Sequence, residues 1–247
     1  MKGNFGLILL AALCASVCLA DAPKAEWVNI GSNSGKFGFD WDMVGAKGLN
    51  LACCPQGMRK GFARLKQHRA EIADGAWVII PLCPFTSVVP PSYDDRKSAE
   101  TNPLLAYDGE PTEAELVKFR DMLDKCWKRE FSIKDYADPM TPTNRASYKL
   151  MLGTTRDFLA WCKAEKLKPV FVYPPAAKCF DTLFPESFMK AYVYDFLKDL
   201  DAKDVPFIDY WKDPAFRENR LWATSLFLNK TGRMLFTERV MKDVKKL

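Results

Sequence analysis

The chain has 247 residues, with 36 Lys and Arg against 31 Asp and Glu, a net charge of +5 and a single histidine. Apolar residues make up 48 %, which excludes a disordered tail, and the charges are mixed along the chain. The one basic cluster, Lys242–Lys246, fits a solvated helix face and excludes a nucleic-acid surface as partner. With one histidine and no cysteines at ligand spacing, neither a metal nor a cofactor is expected.

Residues 1–20 have the form of a secretory signal peptide. Lys2 precedes an apolar run from Phe5 to Leu19, and Cys18-Leu19-Ala20 places small residues at −3 and −1 before Asp21. The pattern predicts cleavage after about Ala20, not lipidation at Cys18, and a secreted or periplasmic protein. No later run approaches the roughly 20 apolar residues of a membrane span, so no transmembrane segment is expected. The remaining 247 − 20 = 227 residues suit one domain, 21–247. Cys53, Cys54, Cys83, Cys126, Cys162 and Cys179 remain after cleavage, an even number that permits disulfides without specifying a pairing.

The predicted elements alternate. Apolar runs at Trp27–Gly31, Leu49–Cys53, Trp77–Leu82, Pro169–Tyr173 and Pro206–Tyr210 lack strict alternation, as strands covered on both faces do. After the second, Met58, Phe62, Leu65 and Ile72 recur at helical spacing, and Asp74-Gly75 is expected to end that helix. From 84 to 112 five prolines among Ser, Asp and Asn predict a long irregular insertion at the end of the third strand. Thr112-Glu113-Ala114-Glu115 opens a helix, and further helices are expected over about 144–165, 188–200 and from about Lys230. Strands separated by helices call for a three-layer α/β/α fold with a five-stranded parallel sheet, in the flavodoxin-like order 2-1-3-4-5.

Ligands in such sheets sit outside the carboxyl ends of the strands. The loop Gly31-Ser32-Asn33-Ser34-Gly35 after the first strand is therefore the expected site. It is not a G-x-G-x-x-G dinucleotide turn, and there is no G-x-x-x-x-G-K-[ST] phosphate loop.

Three stretches together resemble the SGNH (GDSL-type) hydrolase superfamily, in particular bacterial branches associated with cell-surface polysaccharides. Ile30–Gly35 resembles its first block, Gly48–Ala52 its second, and Leu228–Thr237 the sequence that follows the histidine of its last block. The resemblance implies acyl-transfer or ester-hydrolysis chemistry by a serine, a histidine and an orienting aspartate, with an oxyanion held by N–H groups. Carried over residue by residue, the nucleophile position falls on Asn33, the aspartate on Thr224 and the base on Phe227. The oxyanion glycine falls at or beside Pro55, with Gly57 nearby, and Leu82-Cys83-Pro84-Phe85 stands where the family has Gly-x-Asn-Asp. His68, expected within a helix that runs away from the sheet edge, does not substitute as base.

The resemblance thus implies a catalytically degenerate protein. It would bind a glycan, an acylated ligand or a protein partner at the sheet edge, with Gly31, Ser32, Asn33, Ser34, Gly57, Tyr173 and Asn229 as contacts. Tyr93, Tyr107, Tyr173 and Trp222 are the candidate stacking surfaces for a sugar. The alternative is an active esterase, acetylhydrolase or O-acyltransferase using Ser32 or Ser34, with Lys36 among the possible partners.

Overall fold

The computed structural model describes residues 23–97 and 103–247; segment 1–20, expected to be a signal peptide, lies outside them. Five parallel strands form one sheet in the order β2-β1-β3-β4-β5. They are β1 (Ala25–Asn29), β2 (Gly48–Asn50), β3 (Ile72–Pro81), β4 (Lys168–Tyr173) and β5 (Phe207–Asp209). The predicted sheet order and fold class hold.

The helices are α1 (Asn33–Lys36, a single turn), α2 (Met58–Gln67), α3 (Glu113–Glu130), α4 (Pro142–Ala164) and α6 (Lys230–Val244). Between α4 and α6, Glu186–Met189, a π segment Lys190–Tyr194 and Asp195–Leu200 run on as α5. Their starts are written in local chemistry. Thr112 and Glu115 form a reciprocal capping box on α3, Thr141 caps α4 ahead of Pro142, and the Asn229 side chain accepts from the Gly232 N–H to cap α6. Such caps satisfy amides that have no partner within the helix.

The alternation of β1 assigns the two faces. Ile30, just beyond the strand, faces α2, whose Gly61 would bring a Cβ within 3.4 Å of it. Trp27 and Asn29 face the other way: Trp27 stacks on Trp41 at 6.0 Å, and the Trp41 indole N–H donates to Asn29 Oδ1 at 2.8 Å. On the first side α2, α4 and α5 pack together through Phe62–Phe158 and Tyr148–Phe196 edge contacts. On the second, Phe236 of α6 meets Phe39, Tyr210 and Phe216. The sheet is buried on both sides, which is why its strands read as continuous apolar runs.

One boundary differs from the sequence expectation. Ile72 does not extend α2; it begins β3, fully buried and paired with Ala25. The register then slips between Ala25 and Trp27, and Gly75 takes φ +78° inside the strand. Asp74-Gly75 is thus a bulge within the ladder, not a helix stop, a position where glycine supplies the left-handed backbone.

From Leu82 to Thr112 the described residues form only short 3-10 turns, at Thr86–Val88, Pro91–Tyr93 and Pro103–Ala106. The insertion is nevertheless tied down on both sides of residues 98–102. Asp94 Oδ1 accepts from the Gly57 N–H at 2.6 Å, at the start of α2. Asp108 Oδ1 accepts from the Thr231 N–H at 3.1 Å and from its hydroxyl at 3.0 Å, at the start of α6. Two carboxylates of one strap therefore cap two helices whose positive ends both open on the same sheet edge. Arg233, buried in α6, adds a bond from Nη2 to the Leu105 carbonyl at 2.6 Å.

Candidate functional site

At the end of β1 the chain turns on Gly31, held at φ +111°, a region an L side chain rarely enters. Ser32 follows as the N-cap residue of α1, but its side chain makes no capping bond. Instead its hydroxyl accepts from the Gln56 N–H at 3.3 Å, and it lowers the proton affinity of the Tyr93 phenol and the Cys54 thiol. Burial pushes the Tyr93 phenol up to about 12. Burial, then the adjoining Cys53, push the Cys54 thiol to about 12 as well. Both groups hold their protons at neutral pH, so neither takes a proton from Ser32 or acts as an anionic nucleophile.

Thr224 and Phe227 lie on a loop closed by an antiparallel bridge between Trp222 and Leu228. The Thr224 hydroxyl accepts from the Phe227 N–H at 3.1 Å and the Leu226 N–H at 3.4 Å, so it organises its own loop. Phe227 is buried, stacked on Phe37 with centroids 4.4 Å apart and planes 11° apart, and meets Phe119 edge-on at 5.9 Å. Phe37 in turn follows α1 and donates its N–H to the Asn33 carbonyl at 2.8 Å. The Asn33 turn and the Thr224–Phe227 loop are thereby neighbours at one edge, joined by an aromatic stack.

The Gly57 amide is occupied by Asp94, and a Cβ on Gly57 would lie 2.7 Å from Asp94 Oδ1. Burial raises the Asp94 carboxyl above the ordinary aspartate value, against the opposing pull of the Gly57 and Lys60 amides. At the end of β3, the Cys83 N–H donates to Thr86 Oγ1 at 2.8 Å, while Phe85 is buried face to face on Phe131 at 4.4 Å. Where the resemblance places an oxyanion amide donor, this chain has core packing.

These elements enclose a cavity of roughly 200 Å³. Gly31, Ser32, Asn33, Ser34, Gln56 and Gly57 line it from the sheet edge and the start of α2, while Phe85, Val89, Leu123, Trp127 and Phe131 supply apolar wall. Tyr93 also lines it, as do Arg96 and Glu130, which pair with each other.

Several sequence expectations fall elsewhere. Tyr173 is fully buried, stacked on Trp211 at 4.8 Å, and borders a separate space of about 20 Å³, room for no more than a water. Asn229 is 1 % exposed and its amide donates to the Gly109 and Arg220 carbonyls at 3.1 and 2.6 Å; it caps α6 and lines neither space. Trp222 is buried with its indole N–H on the Phe216 carbonyl at 3.0 Å, a core residue and not a stacking platform. Tyr107 is 36 % exposed and lies beside α6, where its carbonyl accepts from the Lys230 N–H at 3.1 Å. His68 is the C-cap of α2, not a mid-helix residue, and holds Glu71 at 2.7 Å. Ten residues beyond Met58, it stands about 15 Å from the helix start that borders the cavity. Lys36 ends α1 and borders a different cleft, with Asp40 and Arg233.

All six described cysteines are free thiols. Among the described residues no group of three His, Cys, Asp or Glu side chains is placed to hold a metal, and no helix is long and apolar enough to cross a membrane. Sequence reasoning missed Asp94, Arg96 and Glu130. Their signal was faint: acidic and basic residues in an insertion and at a helix end, whose partners lie 34 or more positions away in the chain.

No protein-family model matches the chain, and no curated protein matches it either. Two solved structures are similar in the arrangement of elements. One, from Streptococcus pneumonia and provisionally named a platelet activating factor, is 8 % identical with a TM-score of 0.49, over 98 % of this chain and 99 % of that one. The other, from Bacteroides fragilis and provisionally named an acylhydrolase, is 12 % identical with a TM-score of 0.47, over 92 % of each chain.

Proposed function

We propose that this is an exported, SGNH-hydrolase-like protein that has lost the ester-cleaving chemistry and binds a ligand in the cavity at the Gly31–Ser34 edge. The observation that carries the proposal is the substitution of reactive groups by structural ones. The position matching the base is a stacked phenylalanine, the one matching the aspartate is a threonine bonded to its own loop, and the Gly57 amide is taken by Asp94. The cavity beside them persists. Its aromatic and aliphatic wall favours a ligand with an apolar part, such as an acylated glycan, over a bare sugar.

A second reading, an active esterase or O-acyltransferase, draws on the presence of Ser32 and Ser34 on the cavity wall. The two separate with a fluorophosphonate probe and p-nitrophenyl acetate. The binding reading expects neither labelling nor hydrolysis. Labelling abolished by Ser32→Ala or Ser34→Ala establishes the enzyme instead. Export is tested by N-terminal sequencing of the protein from its native cells, which is expected to begin near Asp21.

A further inference from the structure

We infer that the cavity takes a ligand with an apolar body and a free carboxylate, and that Arg96 holds the carboxylate; this rests on reading the cavity as a binding site. Among the described residues that line it, Arg96 is the one cation and Glu130 the one anion. The two currently satisfy each other across the cavity mouth, from the insertion to the end of α3.

Arg96 is kept in place by contacts that do not involve Glu130. Its guanidinium lies over the Tyr93 ring at 4.7 Å, and its carbonyl accepts from Lys60 Nζ at 3.0 Å. If Glu130 leaves, the guanidinium stays over the cavity. Glu130 is held less well. It is the last residue of α3, where the carbonyl end of the helix disfavours a carboxylate. With the Arg96 side chain 46 % exposed, water and salt also screen the pair.

A ligand carboxylate reaching the mouth replaces Glu130 on the guanidinium, whose planar fork matches a carboxylate with two parallel hydrogen bonds. Glu130 moves into water, and the apolar body gains the wall of Phe85, Val89 and Trp127. A neutral ester of the same shape meets the same wall but cannot exchange with Glu130, so it gains no charge-assisted bond.

Calorimetric titration of the purified full chain with 3-phenylpropanoate and with its methyl ester tests this. The acid is expected to bind about tenfold more tightly than the ester, a difference of the size of one charge-assisted bond. Arg96→Gln removes that preference while leaving ester binding intact, which also shows that the variant is folded. Glu130→Gln, which removes the competing carboxylate, tightens acid binding. Equal binding of acid and ester, or a preference that survives Arg96→Gln, overturns the assignment of Arg96 and leaves the cavity reading standing. Binding of neither compound overturns both.

Discussion

Phe227 lies face to face on Phe37, with ring centroids 4.4 Å apart and planes 11° apart. The contact joins the loop after Trp222 to the turn after β1. A stack of this kind adds roughly 0.5–1.5 kcal/mol beyond the area it buries. The two segments are therefore held together by packing.

Removing that ring should be costly. Phe227→Ala is expected to destabilise the protein by about 3 kcal/mol, the range for truncating a buried phenylalanine. Urea denaturation measures it. A loss under about 1 kcal/mol would show that the loop collapses freely around the gap and that the stack is dispensable.

Asp94 makes stability depend on pH in a direction opposite to that of an ordinary ion-paired carboxylate. Its folded-state value is raised by burial above the unfolded 3.8, so the folded protein binds this proton more tightly than the unfolded chain does. Its contribution is therefore present below the unfolded value and is lost as pH rises through the folded one. Asp94→Asn lacks this term. The melting temperature of the wild type relative to the variant is expected to fall from pH 3 towards neutrality, in thermal scans at fixed ionic strength; a flat difference would count against it.

The Gly57–Asp94 contact is close enough for a single methyl group to test the strap. Gly57→Ala places a Cβ 2.7 Å from Asp94 Oδ1, so the carboxylate must withdraw. Gly57 has extended backbone angles that alanine adopts readily, which confines the effect to that contact. The expected result is a loss of about 1 kcal/mol with faster proteolysis between residues 84 and 112. Unchanged cleavage would mean that Asp108 and Arg233 hold the insertion by themselves.

On the proposed reading, placing the resembled family's residues at the matching positions should not by itself give a reaction. Asn33→Ser, Thr224→Asp and Phe227→His combined are expected to leave p-nitrophenyl acetate hydrolysis at the buffer rate, because Asp94 still occupies the Gly57 amide. Were the Gly57 amide to serve as an oxyanion donor, it would contribute roughly 10²–10³ in rate. Adding Asp94→Ala is expected to produce the first hydrolysis above buffer; equal rates with and without it would dismiss that amide as the limiting group. Circular dichroism confirms that the variants remain folded.

Much of the frame is legible in the residues because local rules agree with the global fold. The five apolar runs, the helix start at Thr112 and the right-handed crossover preference lead to a parallel sheet, and the order expected first, 2-1-3-4-5, is the one the fold has. The exception is instructive. Ile72 has helical spacing to Met58 and Leu65, yet pairing with Ala25 places it in β3, since a buried ladder partner outweighs a weak periodic signal.

The site divides along the same line. By itself the sequence determined that a glycine-turned loop ends β1, since residue identity and short-range order need no fold; that Asn33, Thr224 and Phe227 match a catalytic serine, aspartate and histidine is what the resemblance implies. It did not determine what those positions do. Only the tertiary structure decided that Thr224 serves its own turn, that Tyr173, Trp222 and Asn229 belong to the core and a helix cap, that Asp94 comes back onto the start of α2, and that Arg96 reaches the end of α3 at the cavity. The Asp94 and Arg96 contacts join residues 34 or more positions apart in the chain, and no local periodicity or cap encodes them. They exist because the folded sheet brings the start of α2, the end of α3 and the insertion to one edge, where each unpaired amide and charge finds the partner that the fold leaves nearest.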